Sequence, residues 1–198
     1  MAYPTLDAPY GLKPINLIGG APFSGSTRLV KIASGYATDL LVGDVVKLTT
    51  DGSVIKDTGT ATATPLGVFL GCQYTNPSTN QPIFTNYWPA STSASDAYAV
   101  VMDNPDALFK IAIVSSGTTI STVGRTAIGN NGTLVQNAGS TATGVSRVAL
   151  SSTTATTNTL PVRIIDVVPD TATGTDAFTE VIVKWNWGMH QYQNATGV

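Results

Sequence analysis

From Thr27 onward, short runs of Val, Ile, Leu, Thr and aromatic residues are separated at regular intervals by clusters of Gly, Ser, Thr, Asn and Asp. Punctuation of that kind reads as short strands joined by turns. Composition argues the same way: Thr occurs 30 times and Glu once, at Glu180. The residues that solubilise surface helices are scarce, and those that suit a pleated surface are abundant. Charged residues make up 11% of the 198, well under the ~25% of an ordinary soluble domain. The chain is expected to be all-β, and its length suffices for one large β domain or two small ones.

Strands are predicted over 27–32, 40–50, 53–56, 67–74, 98–102, 108–114, 145–150, 160–168 and 178–187. Asp51-Gly52 makes 40–56 a hairpin, because the glycine takes positive φ at low cost. Residues 75–95 read as a long loop interrupted by Ile83-Phe-Thr-Asn-Tyr-Trp88, and Pro105 argues against a helix in the turn Asp103-Asn-Pro-Asp106. The stretch 115–144 is weakly patterned, with a short helix or a loop around 120–129. The clearest strand is the last. Val181, Val183, Trp185 and Trp187 share one face, expected to be buried, and Glu180, Ile182, Lys184 and Asn186 share the other.

Residues 1–26 read differently. Pro4, Pro9, Pro14 and Pro22 alternate with Gly11, Gly19, Gly20 and Gly25, a spacing that neither a helix nor a central strand tolerates. Yet Tyr3, Leu6, Tyr10, Leu12, Ile15, Leu17, Ile18 and Phe23 are more apolar than a solvated tail requires. An extended arm is expected, lying against a partner or along its own domain. The organisation is then an arm over 1–26 and a β domain over 27–198, the latter one unit or two, 27–114 and 115–198.

Little here points to catalysis, and no enzyme activity or cofactor is expected. His190 is the chain's one histidine, no nucleophile-elbow pattern accompanies it, and it is expected at a surface or interface. Glycoside hydrolysis needs two carboxylates of separated pKa, whereas Glu180 stands alone among eleven Asp suited to turns. One Cys and one His make a zinc site a poor fit. Asp103, Asn104 and Asp106 lack the glycine and distal Glu of a calcium-binding hand. Cys72 lies in the apolar run Gly67-Val-Phe-Leu-Gly-Cys-Gln-Tyr74 and reads as a small buried hydrophobe. Gly19-Gly20 opens no helix, so it is not a phosphate loop. The sequons Asn131-Gly-Thr133 and Asn194-Ala-Thr196 carry little weight without a secretory signal.

Partners are bounded too. A net charge of −2 with ten scattered basic residues gives no stripe for phosphates, so no nucleic-acid binding is expected. Apolar runs are strand-sized, so no membrane insertion is expected. Phe84, Tyr87 and Trp88 in the long loop are candidate partner contacts, for a sugar or a protein pocket, or else anchors of the loop itself.

The stretch Leu41-Val-Gly-Asp-Val-Val-Lys-Leu-Thr-Thr-Asp-Gly-Ser-Val54, followed by Thr64-Pro-Leu-Gly-Val-Phe-Leu-Gly71, resembles the head-decoration proteins of tailed bacteriophages, also called capsid cement or stabilisation proteins. Tyr10-Gly-Leu-Lys-Pro14, Gly19-Gly-Ala-Pro-Phe23, Ala97-Tyr-Ala-Val-Val-Met-Asp-Asn-Pro-Asp106 and Gly144-Val-Ser-Arg-Val-Ala-Leu150 are similar to the longer members. The resemblance implies a β-tulip or related β-barrel, a homotrimer, with the major capsid protein as partner. The location it implies is the outer surface of the virion capsid, the protein being made in the host cytoplasm. It also implies a capsid-binding arm, here carried by Tyr3, Pro4, Leu6, Tyr10, Leu12, Pro14, Ile15 and Phe23. The chain departs from the compact members in its length and in the 75–95 segment. Two other readings stay open: a glycan- or receptor-binding module of a tail fibre or spike using Phe84, Tyr87 and Trp88, and a secreted β hydrolase using His190.

Overall fold

The structure, a computed structural model, describes residues 8–22 and 26–198. It is 45% strand and 3% helix. In chain order the strands are β1 (Lys13–Leu17), β2 (Thr27–Lys31), β3 (Leu40–Leu41), β4 (Val45–Leu48), β5 (Val54–Lys56), β6 (Gly67–Thr75), β7 (Pro82–Thr85), β8 (Tyr87–Trp88) and β9 (Tyr98–Met102). There follow β10 (Ala107–Ser116), β11 (Thr119–Ile120), β12 (Asn131–Val135), β13 (Ala149–Ala155), β14 (Val162–Val167), β15 (Ala172–Gly174), β16 (Ala177–Phe178) and β17 (Glu180–Trp185). Short 3-10 turns lie at Arg125–Ala127 and Pro169–Thr171.

The strands sort into two main sheets. The first runs β2-β9-β6-β4-β5, with β7 beside β6, and a parallel bridge from Ile32 to Val54 draws its two ends together. The second runs β10-β13-β12-β14-β17, and β17 returns to β10, which closes a five-stranded barrel. Closure depends on the length of β10. Its first half pairs with β1 and β17, and its second half with β13 and β11. The sheets change over at the turn Asp103–Asp106, so β10 belongs wholly to the second sheet rather than ending a first unit at 114.

Two cores follow from the period-two geometry of strands. In β4, β6 and β9, Val46, Phe69 and Val101 point into the first sheet's own core, while Val45, Val68 and Met102 point into the core shared with the barrel. Strands buried on both faces read as near-continuous apolar runs, which is why 67–74 is so apolar. The barrel interior is filled by Phe109, Ile111, Ile113, Leu134, Leu150, Ile164, Val181, Val183 and Trp185. Phe109 and Trp185 meet at a ring-centroid distance of 5.4 Å.

The 75–95 segment is a loop interrupted by two short strands, because β7 pairs with β6 and β8 pairs with β3. Several expectations need correction. Residues 145–148 precede β13 instead of forming a strand, and β12 lies within the stretch read as weakly patterned. The last strand ends at Trp185, and past it Trp187 is 78% exposed instead of buried. Gly188 turns the chain there with φ 77°.

Candidate functional site

Four segments that are distant in the sequence meet around Gly43. Gly11 lies so close that a Cβ on it would stand 2.6 Å from the Gly43 carbonyl oxygen and 2.8 Å from Ser146 Cβ. Its φ of +79° is also one that only glycine adopts without strain. The Leu12 amide donates to the Gly43 carbonyl at 3.0 Å, the Gly11 amide to Val148 O at 3.1 Å, and the Gly43 amide to Phe69 O at 2.9 Å. Beside them Asp44 is fully buried. Its carboxylate accepts from the Leu41 amide at 2.9 Å, Lys56 Nζ at 2.9 Å and Ser146 Oγ at 2.6 Å. A buried carboxylate needs that full set of donors, so the junction tolerates little rearrangement.

The candidate arm residues divide around this junction. Tyr3, Pro4, Leu6 and Phe23 lie outside the described residues. Leu12 is 1% exposed and belongs to the barrel-side core. Pro14 and Ile15 lie on β1, which adds antiparallel to the edge of β10, with a register shift that displaces Ile15 outward to 38% exposure. Pro14 is tolerated because β1 is an edge strand with a bulge.

Tyr10 lies over the outer face of the barrel, where its hydroxyl donates to Glu180 Oε1. Lys110 Nζ donates to Glu180 Oε2 at 3.3 Å, and Lys13 Nζ stands 4.2 Å from the Tyr10 ring centroid. Burial, with the hydrogen bond and the charge of Glu180 adding to it, raises the Tyr10 pKa far above the ordinary phenol value, so the hydroxyl remains a neutral donor. The described part of the arm from Tyr10 to Leu17 is thus engaged with its own domain.

The candidate contact residues of the second segment also separate. Trp88 is fully buried, with its ring edge-on to Tyr74 at 5.2 Å and its Nε1 donating to Tyr36 O at 3.4 Å. Tyr87 is half-buried, and its carbonyl accepts from Cys72 Sγ at 3.3 Å. Phe84 alone is open, at 77% exposure. The three therefore do not form one aromatic platform.

Phe84 belongs instead to a patch that the sequence reading missed. Directly paired residues share a sheet face, and the register puts Phe84, Gln73, Tyr98 and Lys31 in one row and Val100 and Leu29 in the next. The barrel covers the far end of this face, over Met102 and Val68. Its near end is open among the described residues, with Leu29 at 51% and Tyr98 at 39%. Beside it a shallow cleft of about 170 Å³ is bounded by Tyr74, Pro82, Ile83, Phe84 and Asp96. The signal in the sequence was weak, because one strand here carries an open and a covered end on the same face.

The remaining candidates have structural surroundings. Cys72 is buried, and burial pushes its thiol up to about 12. Asp103 pairs with Arg28 at 2.8 Å and accepts from Tyr192 Oη at 3.2 Å, while Asp106 pairs with Lys184 at 2.7 Å. No group of three His, Cys, Asp or Glu side chains capable of holding a metal occurs among the described residues. Asn131 is buried and bonded to Arg163 and to Thr157 O, so the first sequon is not accessible. His190, expected at a surface, is fully buried.

Comparison with protein-family models, with curated proteins and with solved structures found no match.

Proposed function

We propose that this chain is a virion structural protein that binds the outer surface of a tailed-bacteriophage capsid and stabilises the expanded shell. The observation that supports this most is the junction around Gly43. Tyr10-Gly-Leu-Lys-Pro14, the hairpin carrying Val42-Gly-Asp-Val-Val46, the strand reaching Phe69 and the segment Gly144–Leu150 are four of the six pieces that resemble decoration proteins. They come together through Gly11, Gly43, Asp44, Phe69, Ser146 and Val148. Short similarities that would carry little weight apart make up one structural unit.

On this reading the open end of the first sheet, with Phe84, Tyr98 and Leu29, is the surface offered to the major capsid protein, and Tyr3, Pro4 and Leu6 precede the anchored strand as further contacts. Binding to the expanded shell and not to its separated parts stabilises the shell by mass action. Assembly as a homotrimer would add avidity.

The test is co-sedimentation of the full-length protein with expanded and unexpanded shells of a phage that encodes it. Two variants accompany it: one lacking residues 2–7, and Phe84→Ser. A deletion through residue 26 is unsuitable, since it would remove Leu12 and β1 from the fold. Saturable binding to expanded shells alone, weakened by either variant, is the expected result. Absence of binding to both kinds of shell would overturn the reading.

A further inference from the structure

After β17 the chain leaves the barrel and crosses back over the first sheet. The Asn186 carboxamide donates to Asn158 O at 2.9 Å and Leu160 O at 3.0 Å, which fixes the start of the crossing. The Gln191 amide donates to Pro65 O at 2.9 Å. The side chain of Gln191 then satisfies both backbone groups of Leu48, accepting from its amide at 2.8 Å and donating to its carbonyl at 3.4 Å. Tyr192 Oη donates to Asp103 in the turn that joins the two sheets. This crossing segment is a strap over the seam between the sheets, and His190 is buried beneath it.

The imidazole is committed to its neutral form by geometry. Nδ1 accepts from the Tyr192 amide at 3.2 Å, so it carries no proton. Nε2 closes no hydrogen bond, although the Leu66 and Asp103 carbonyls face the ring. A proton arriving at Nδ1 would set two donors against each other and place a charge in a site with no solvent access. The surrounding charges offset that cost only in part. Asp103 already serves Arg28 and Tyr192, and Lys184 of β17, paired with Asp106, repels a second cation.

We infer that the segment 186–198 is an acid-released strap, in which protonation of His190 breaks the Tyr192 contact, frees Gln191 from Leu48 and opens the seam between the first sheet and the barrel. The proton linkage has the matching sign. Burial, outweighing the favourable carbonyls and carboxylate, lowers the His190 pKa below the ordinary 6.5. A group depressed in the folded state stabilises it fully above 6.5 and progressively less as pH falls through the folded value. Neutral conditions therefore keep the strap closed.

With one histidine in the chain, the imidazole resonances of untagged full-length protein can be followed by NMR without ambiguity. The titration runs from about pH 8 to about pH 5, beside the backbone amides of Leu48, Gln191 and Tyr192. The expected result is an imidazole midpoint below 6.5, with those three amides moving at the same midpoint and barrel amides such as Ile111 staying still. A midpoint at or above 6.5, or protonation that leaves the strap amides unmoved, would overturn the inference. In His190→Gln the acid-induced movement should be lost. Its persistence at the wild-type midpoint would assign the release to another group and overturn the inference as well.

Discussion

The segment before β2 and the segment after β17 both fold back onto the body, and they are fastened by opposite means. Residues 8–22 are held by burial and backbone pairing: Leu12 fills the core, β1 extends the edge of β10, and Gly11 meshes with Gly43. Residues 186–198 are held by side-chain hydrogen bonds around one buried imidazole. Apolar burial and a strand ladder do not respond to protons, whereas an array that needs a neutral histidine does. The difference teaches which part of each flank belongs to the fold. The first segment is built into the barrel-side core and the edge of β10, and the second is an attachment fastened by polar contacts.

The sharpest way to break this comparison is Leu12→Ala. Truncating a fully buried leucine in the barrel-side core is expected to cost about 2–5 kcal/mol of global stability, read as a lower midpoint in urea unfolding. Were residues 8–22 only an attachment, the variant would release them while leaving the midpoint unchanged. Gly11→Ala probes the same flank through the backbone. It demands a positive φ and places a methyl against a carbonyl oxygen, with an expected loss of about 1–3 kcal/mol in the same assay. Tyr10→Phe is milder: Glu180 loses its phenolic donor but keeps Lys110, and the expected loss is about 1–2 kcal/mol. Unfolding midpoints falling in the order Leu12→Ala, Gly11→Ala, Tyr10→Phe would place the main anchorage of this flank in the core, not at its surface contact.

How much of this was legible in the sequence depends on where each partner comes from. Strand β9 was readable at both ends, and β6 to within a residue, because β-branched and aromatic runs bounded by turn residues carry their own signal. The Asp51-Gly52 turn was readable from its chemistry, and Gly52 has φ 76°. Strand β1 was not, since Pro14 argues against a strand unless an edge is known to be waiting. Strand β12 was hidden by Asn131-Gly132. A Cβ at Gly132 would stand 2.9 Å from Leu150 Cδ1, a contact made only after β13 has paired with it. The candidate site divided in the same way. Exposure of Phe84 and burial of Trp88 are decided by pairings with β6 and β3, and burial of His190 by a crossing that no local pattern announces. Residues whose environment is set by distant segments were therefore assigned from their type alone.

The smallest expected effect tests the other flank. Gln191→Ala removes the carboxamide that pairs with both backbone groups of Leu48 and leaves the Gln191 amide bond to Pro65 O intact. The cost is expected to be about 1 kcal/mol, and to be local. Hydrogen exchange at the Leu48 amide should then speed up by roughly fivefold, since RT is ~0.59 kcal/mol, while Ile111 and Val183 in the barrel exchange as before. If instead the barrel amides accelerated together with Leu48, opening the strap would require opening the barrel. The two flanks would then be one cooperative unit, and acid release at His190 would reach the cores as well as the seam.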